Sequence, residues 1–432
     1  MLETIRSLIL DFQEIPLETG SPRRLKIERV KGKATVCIGV RRSGKSTFMF
    51  QIMQRLLDEG VSRSNILYLN FFDDRLHFLS SDNLTMIAEA YFSLYPQKKN
   101  NETIYCFFDE IQAVPGWEPF IDRLMRTEKC EVFLTGSSAD MLSKEIATQM
   151  RGRALTWEMF PFSFREYLDW RGIESEGPLS TKKRLLVQKG FEEYWEVGGF
   201  PEVAGLAPNL RVRVHQEYFH TILFRDLVER HNIPHPRALT DLARRLVDNM
   251  ASLYSVNSLF GHLKSLGHRV PKSAVSDYLE WFEDAYFLFT LRLYDPSIAR
   301  RNINPKKIYC VDNGLVTSVS SGILINSGRL LENMVFTGLR RISGDISYYR
   351  TGSGREVDFI VTAGGRRMLI QACESLADPG TRRREVTALE EAMAELGLKE
   401  GVIVTRGEEE KFEAGGGVIE ATPAWRFLLG LS

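Results

Sequence analysis

From residue 33 to residue 138, short apolar runs alternate with segments whose apolar residues recur at helical spacing. The runs at 34–39, 66–71, 104–108 and 131–135 read as strands. They are near-continuously apolar, as strands covered on both faces of a parallel sheet must be. Between the first two, residues 46–59 place Phe50, Met53, Leu56 and Leu57 on one helical face, and Gly60 follows as a stop signal. The alternation predicts an α/β domain built on a parallel sheet. A mixed helical stretch continues to about residue 231, broken by the polar segment 172–183. Helical periods at 237–251, 256–266 and 272–287, then an apolar run at 289–294, give the order expected of a winged helix-turn-helix. From residue 305 the pattern changes to helix, strands, helix, strand, helix, a second α/β domain. The expected partition is therefore 1–235, 236–304 and 305–432.

Composition narrows this picture in three ways. Lys plus Arg and Asp plus Glu each number 56, so any nucleic-acid surface has to be a local basic patch. The five cysteines lack CxxC spacing, which suits reduced, buried thiols better than a disulfide framework or a zinc site. Residues 1–16 carry Glu3, Asp11 and Glu14, unlike a secretory signal, and no apolar run is long enough to span a bilayer. The chain reads as cytoplasmic, without a membrane partner.

Residues Gly39, Val40, Arg41, Arg42, Ser43, Gly44, Lys45 and Ser46, followed by Thr47, match GxxxxGK[ST] between a predicted strand and a predicted helix. Glycines let backbone N–H groups turn toward phosphate oxygens, and Lys45 reaches the terminal phosphates. The Ser46 hydroxyl is suited to Mg²⁺, and the helix N-terminus adds partial positive charge. The apolar run before Asp109 and Glu110 brings a carboxylate to the C-terminal edge of the same sheet. Asp109 is expected to hold Mg²⁺ through water, and Glu110 to orient or deprotonate the attacking water. The strand 131–135 is expected between the strands of the loop and of Asp109, with Thr135 and Ser137 in a sensor position toward the γ-phosphate. Arg151 and Arg153 read either as a transition-state arginine, in cis or from a second copy of the chain, or as a solvated basic turn. The expected ligands are ATP and Mg²⁺.

Taken in order, GVRRSGKST, FFDEIQAVPGWE, FLTGSS, MRGRAL, FPFSFREYL and GGFPE resemble the AAA-type ATPases of archaea and bacteria that carry a C-terminal domain of unknown function. Tyr278 to Tyr286, Lys307 to Gly314, and Arg355 to Asp358 extend the resemblance over essentially the whole chain. It implies a P-loop NTPase sheet of the type with an additional strand and a catalytic glutamate. It further implies a winged-helix segment and a C-terminal fold similar to PD-(D/E)XK, or restriction-endonuclease-like, nucleases.

A nuclease of that kind needs a helix carboxylate, a strand aspartate, then Glu or Gln two residues before a lysine on the next strand. Glu332, Asp358 and Gln371 fit, but Cys373 stands where the lysine belongs. A degenerate site is expected, with Glu332 as a helix cap or salt-bridge partner as the plainer alternative. DNA is a candidate partner through the helix beginning at Lys272, although Asp277, Glu280, Glu283 and Asp284 on it would repel a phosphate backbone. Arg300, Arg301, Lys306 and Lys307 form the denser basic group, read as a DNA-facing or solvated loop. Three functions compete: an ATPase coupled to a nucleic-acid module, an ATP-dependent switch acting on a protein, and an ATP-gated nuclease.

Overall fold

A computed structural model describes residues 1–137, 150, 152–323 and 326–431. The chain divides into two compact units, Met1–Met159 and Phe160–Ser432.

In the first unit, β1 (Ala34–Ile38), β2 (Ile66–Asn70), β3 (Ile104–Asp109), β4 (Cys130–Gly136) and β5 (Ala154–Glu158) form a parallel sheet in the order β2-β3-β4-β1-β5. The strand carrying Thr135 lies between those of the loop and of Asp109, as expected for a sheet of this kind. Its register sets Thr135 opposite Cys37 and Leu134 opposite Phe108. Every residue of β1 is buried, which accounts for its unbroken apolar run. Helix α1 (Leu2–Glu14) packs on α3 (Thr85–Leu94), turning Ile5 and Ile9 inward, while α2 (Lys45–Asp58) lays Phe48, Met49 and Met53 onto the sheet. Phe107 and Phe133 stack there with ring centroids 4.5 Å apart. Helix α4 is Glu118–Thr127. Helix α1 and strand β5 fall outside the sequence-predicted set, as do α3 and α4, which the alternation implied without placing. The edge strand β5 is half-buried along its whole length, so it lacks the apolar run that marks the central strands.

The second unit contains α5 (Thr181–Val197), α6 (Pro208–Thr221) and a π-helix at Ile222–Glu229. Next come α7 (Pro236–Asp248), β6 (Leu253–Tyr254), α8 (Val256–Ser265), α9 (Lys272–Asp284), β7 (Leu288–Leu291) and β8 (Lys306–Cys310). The sheet order β6-β8-β7 is antiparallel, with β8 in the centre. Thus β8, which begins beyond residue 304, completes the sheet of the preceding helices.

The rest includes α10 (Ser327–Ile342), β9 (Ile346–Arg350), β10 (Glu356–Ala363), β11 (Arg366–Cys373), α11 (Pro379–Leu396), β12 (Glu400–Thr405), β13 (Glu410–Ala414) and β14 (Gly417–Pro423). The strands assemble as β13-β14-β12-β11-β10-β9. Pairing of β10 with β9 shifts register between Val357 and Ile360, an irregularity spanning Asp358 and Phe359. Among the described residues no helix is long and apolar enough to cross a membrane.

Candidate functional site

The loop after β1 is shaped by two glycines. Gly39 has φ +148°, and a Cβ there would stand 2.0 Å from the carbonyl oxygen of Met159, so only glycine fits. Gly44 takes the left-handed conformation, φ 95°, and starts α2 at Lys45. Lys45 is buried, and its ammonium donates to the carbonyl oxygens of Gly39 at 3.0 Å and Val40 at 3.1 Å. Two neutral carbonyls are weak partners for a buried cation, and phosphate oxygens would replace them favourably. The Ser43 hydroxyl is buried without a hydrogen-bond partner among the described residues. With the open N–H groups of the first helical turn, these donors fit a polyphosphate. Arg42 is exposed, and the Arg41 guanidinium lies 5.6 Å over the Phe72 ring.

Opposite the loop, Asp109 is buried at the end of β3. The Thr135 hydroxyl donates to Oδ1, and the Tyr68 hydroxyl donates to Oδ2 at 3.1 Å. Burial pushes this carboxyl above its ordinary range, while hydrogen bonds from Thr135, Ser46 and Tyr68 pull it back. Glu110 sits at φ 56°, a left-handed conformation that costs a non-glycine residue of order 1 kcal/mol. Its backbone N–H donates to Thr135 Oγ1 at 3.0 Å. One hydroxyl therefore holds both carboxylate residues, giving a bond to Asp109 and taking one from Glu110. Gln112 Nε2 donates to Glu110 Oε2 and lies 3.5 Å from Ser137 Oγ. Arg153 Nη1 is engaged at 3.1 Å by Asp122 on α4. Arg151 lies outside the described residues.

A second carboxylate site is built wholly within the other unit. Glu332 on α10, Glu356 and Asp358 on β10 converge on one nitrogen, Lys307 Nζ, at 2.9, 2.9 and 2.7 Å. The Tyr309 hydroxyl donates to Glu332 Oε1 at 2.7 Å. Asp358 Oδ2 accepts from the Ala372 N–H at 3.0 Å, and Gln371 Oε1 accepts from the Asp358 N–H at 3.0 Å. Gln371 Nε2 passes the chain on to Glu385 at 2.7 Å. Burial and the nearby Asp358 charge raise the Glu332 carboxyl to about 7 despite Lys307 and Tyr309. Cys373 is buried with its thiol pushed up to about 11, chiefly by desolvation, and its Sγ lies 3.2 Å from the Ser375 carbonyl.

Residues 31–168 match an AAA domain, residues 188–323 a domain of unknown function (DUF8612), and residues 327–427 another (DUF4143). An uncharacterised protein of Methanocaldococcus jannaschii is 33% identical over 98% of this chain and 94% of its own length. The chain belongs to its family, the prokaryotic AAA-type P-loop ATPases with C-terminal domains of unknown function. A Haemophilus influenzae protein is 30% identical over 78% of this chain and 81% of its own length. Among solved structures, the Aeropyrum pernix Orc1 protein in complex with DNA aligns at TM-score 0.31 and 14% identity, covering 73% of this chain and 91% of that one.

In this AAA-type protein the structure brings Lys45, Ser46, Asp109, Glu110, Thr135 and Ser137 together at one edge of one sheet. It also brings Glu332, Asp358 and Gln371 together, and adds a residue that sequence reasoning misplaced. Lys307 is not part of a solvated basic loop. It is 2% exposed, because it shares a strand face with fully buried Tyr309. The period-2 pattern of KKIYC carried that signal, since the second lysine falls in phase with the tyrosine. Tyr68, Gln112 and Arg23 were also missed. The last donates from Nη1 to the Ser43 carbonyl at 2.6 Å, a contact from outside the motif that only folding creates.

Proposed function

We propose that this protein binds ATP with Mg²⁺, hydrolyses it, and couples the nucleotide state to a C-terminal module that engages nucleic acid. The observation that carries the catalytic part is the Thr135 hydroxyl, which bonds both Asp109 and Glu110 across from Lys45. The Lys45 ammonium would exchange two backbone carbonyls for the terminal phosphates. Ser46 and Asp109 would hold Mg²⁺, which supplies charge neutralisation at the phosphates. Glu110, aimed by its left-handed backbone and by Gln112, orients water and accepts its proton. Thr135 and Ser137 would report the γ-phosphate, and Arg151 or Arg153 would meet transition-state charge, in cis or in a self-assembled complex.

The order α7, β6, α8, α9, β7, β8 supports a winged-helix segment with α9 as its recognition helix. The order α10, β9, β10, β11, α11, β12 supports a PD-(D/E)XK-like fold with a degenerate site. On this reading the ATPase, winged-helix and nuclease-like parts succeed one another as 1–235, 236–304 and 305–432, with β8 reaching back across the last boundary to complete the winged-helix sheet. The cysteines described as free support a reducing, cytoplasmic compartment. One feature favours a second reading, a switch acting on a protein: α9 exposes Asp277 and Glu280, the wrong sign for a DNA backbone.

Steady-state ATP turnover with and without DNA separates the two. Stimulation by DNA that fades as salt rises supports nucleic-acid coupling. Turnover indifferent to DNA, with no binding at low salt, leaves the protein-switch reading.

A further inference from the structure

Lys307 occupies the centre of the C-terminal carboxylate cluster, and its surroundings leave it no other place. It lies on β8, the central strand of its sheet, paired with Leu291 of β7 on one side and Leu253 of β6 on the other. The backbone therefore cannot withdraw. The side chain is 3% exposed, and its ammonium faces one oxygen from each of three carboxylates at 2.7 to 2.9 Å, donating hydrogen bonds to Glu332 and Asp358. Two residues along, Tyr309 points to the same side, stacks on Phe336 of α10 with centroids 4.3 Å apart, and gives its hydroxyl to Glu332.

Two strand-end and helix carboxylates aimed at a shared centre are the donor set of a hard divalent cation, which binds such oxygens at about 2.1 Å. Here the oxygens that would bridge the ion, Glu332 Oε1 and Asp358 Oδ1, already meet at one nitrogen. We propose that the Lys307 ammonium is the resident cation of this cluster, standing where a divalent ion would otherwise bind and locking β8 to β10 and α10. Three carboxylates within 2.9 Å hold the ammonium in place. The cation of this cluster sits on β8, a strand of a different sheet from Asp358. This inference requires no ATP hydrolysis and stands apart from the function proposed above.

Mn²⁺ titration of the full-length, nucleotide-free protein, followed by water-proton relaxation, tests it with wild type, Asp358→Asn, Lys307→Ala and the Lys307→Ala/Asp358→Asn double variant. Wild type and Asp358→Asn are expected to give the same Mn²⁺ curve. Lys307→Ala is expected to gain one further Mn²⁺ equivalent and a higher melting temperature in Mn²⁺, both lost in the double variant. A wild-type Mn²⁺ equivalent that disappears in Asp358→Asn overturns the proposal. So does a folded Lys307→Ala protein that gains no Mn²⁺. If Lys307→Ala shows no cooperative melting, the wild-type and Asp358→Asn curves decide alone: coincidence supports the resident cation, divergence overturns it.

Discussion

The nucleotide loop and the C-terminal cluster each combine a buried lysine with buried carboxylates, and hold them in opposite ways. Lys45 rests on two backbone carbonyls, neutral groups that a phosphate can replace, and Asp109 is held by hydroxyls. Lys307 is closed on three carboxylates and has no exchangeable partner. A cation beside neutral acceptors is available to a charged ligand. A cation that already neutralises its neighbours in a low-dielectric interior is structural, and removing either side leaves a buried charge unpaired. The difference lies in what each lysine touches.

The comparison breaks most easily at the nucleotide end. Glu110→Gln should lower ATP turnover by about 10²–10³-fold, the scale of a lost general base, while filter binding shows ATP still retained. Equal turnover in the variant would remove Glu110 from the reaction. At the other end, Lys307→Met should destabilise the second unit by about 3–5 kcal/mol, because three carboxylates lose their counter-charge. Urea unfolding followed by tryptophan fluorescence reads this, and a loss below ~1 kcal/mol would mean that Lys307 is replaceable.

A finer test separates positioning from chemistry. Thr135→Val removes the hydroxyl that bonds both acidic residues and should cut turnover about tenfold, the worth of a hydrogen bond to charged groups. Thr135→Ser should restore most of it; if serine fails as valine does, packing and not hydrogen bonding is what matters there. The smallest effect concerns pH. Glu332 is raised from 4.5 to about 7, so the folded state holds a proton that the unfolded chain has released. This group's contribution to stability is present below pH 4.5, falls as pH rises toward 7, and is constant above. Glu332→Gln should therefore show a flatter melting temperature between pH 5 and pH 7 than wild type. Parallel curves would place the raised carboxyl elsewhere.

Much of the nucleotide site was legible because its chemistry is local. Gly39, Gly44, Lys45 and Ser46 act through one turn of backbone, and Asp109 with Glu110 ends one apolar run, so spacing along the chain equals spacing in the site. The position of β4 followed from the strand order usual in phosphate-loop sheets and matches the observed sheet. The edge strand β5 was not legible, since half-buried residues leave no continuous apolar signal, whereas α1 does carry a helical period with Ile5 and Ile9 turned inward. Tyr68, Gln112 and Arg23 escaped because a hydroxyl, an amide or a guanidinium takes its role from the atoms folded against it.

The chain's own pattern thus determined a P-loop sheet with its phosphate loop and acidic pair, and placed Glu332, Asp358 and Gln371 on successive elements. It also showed that position 373 holds no cation. Only the tertiary structure decided what replaces that cation, since Lys307 and Asp358 are 51 residues apart and meet through two different sheets. Burying carboxylates demands a counter-charge but does not say which segment must supply it. Periodicity put Lys307 in phase with Tyr309, and packing of β8 against α10 and β10 turned that phase into an ion cluster.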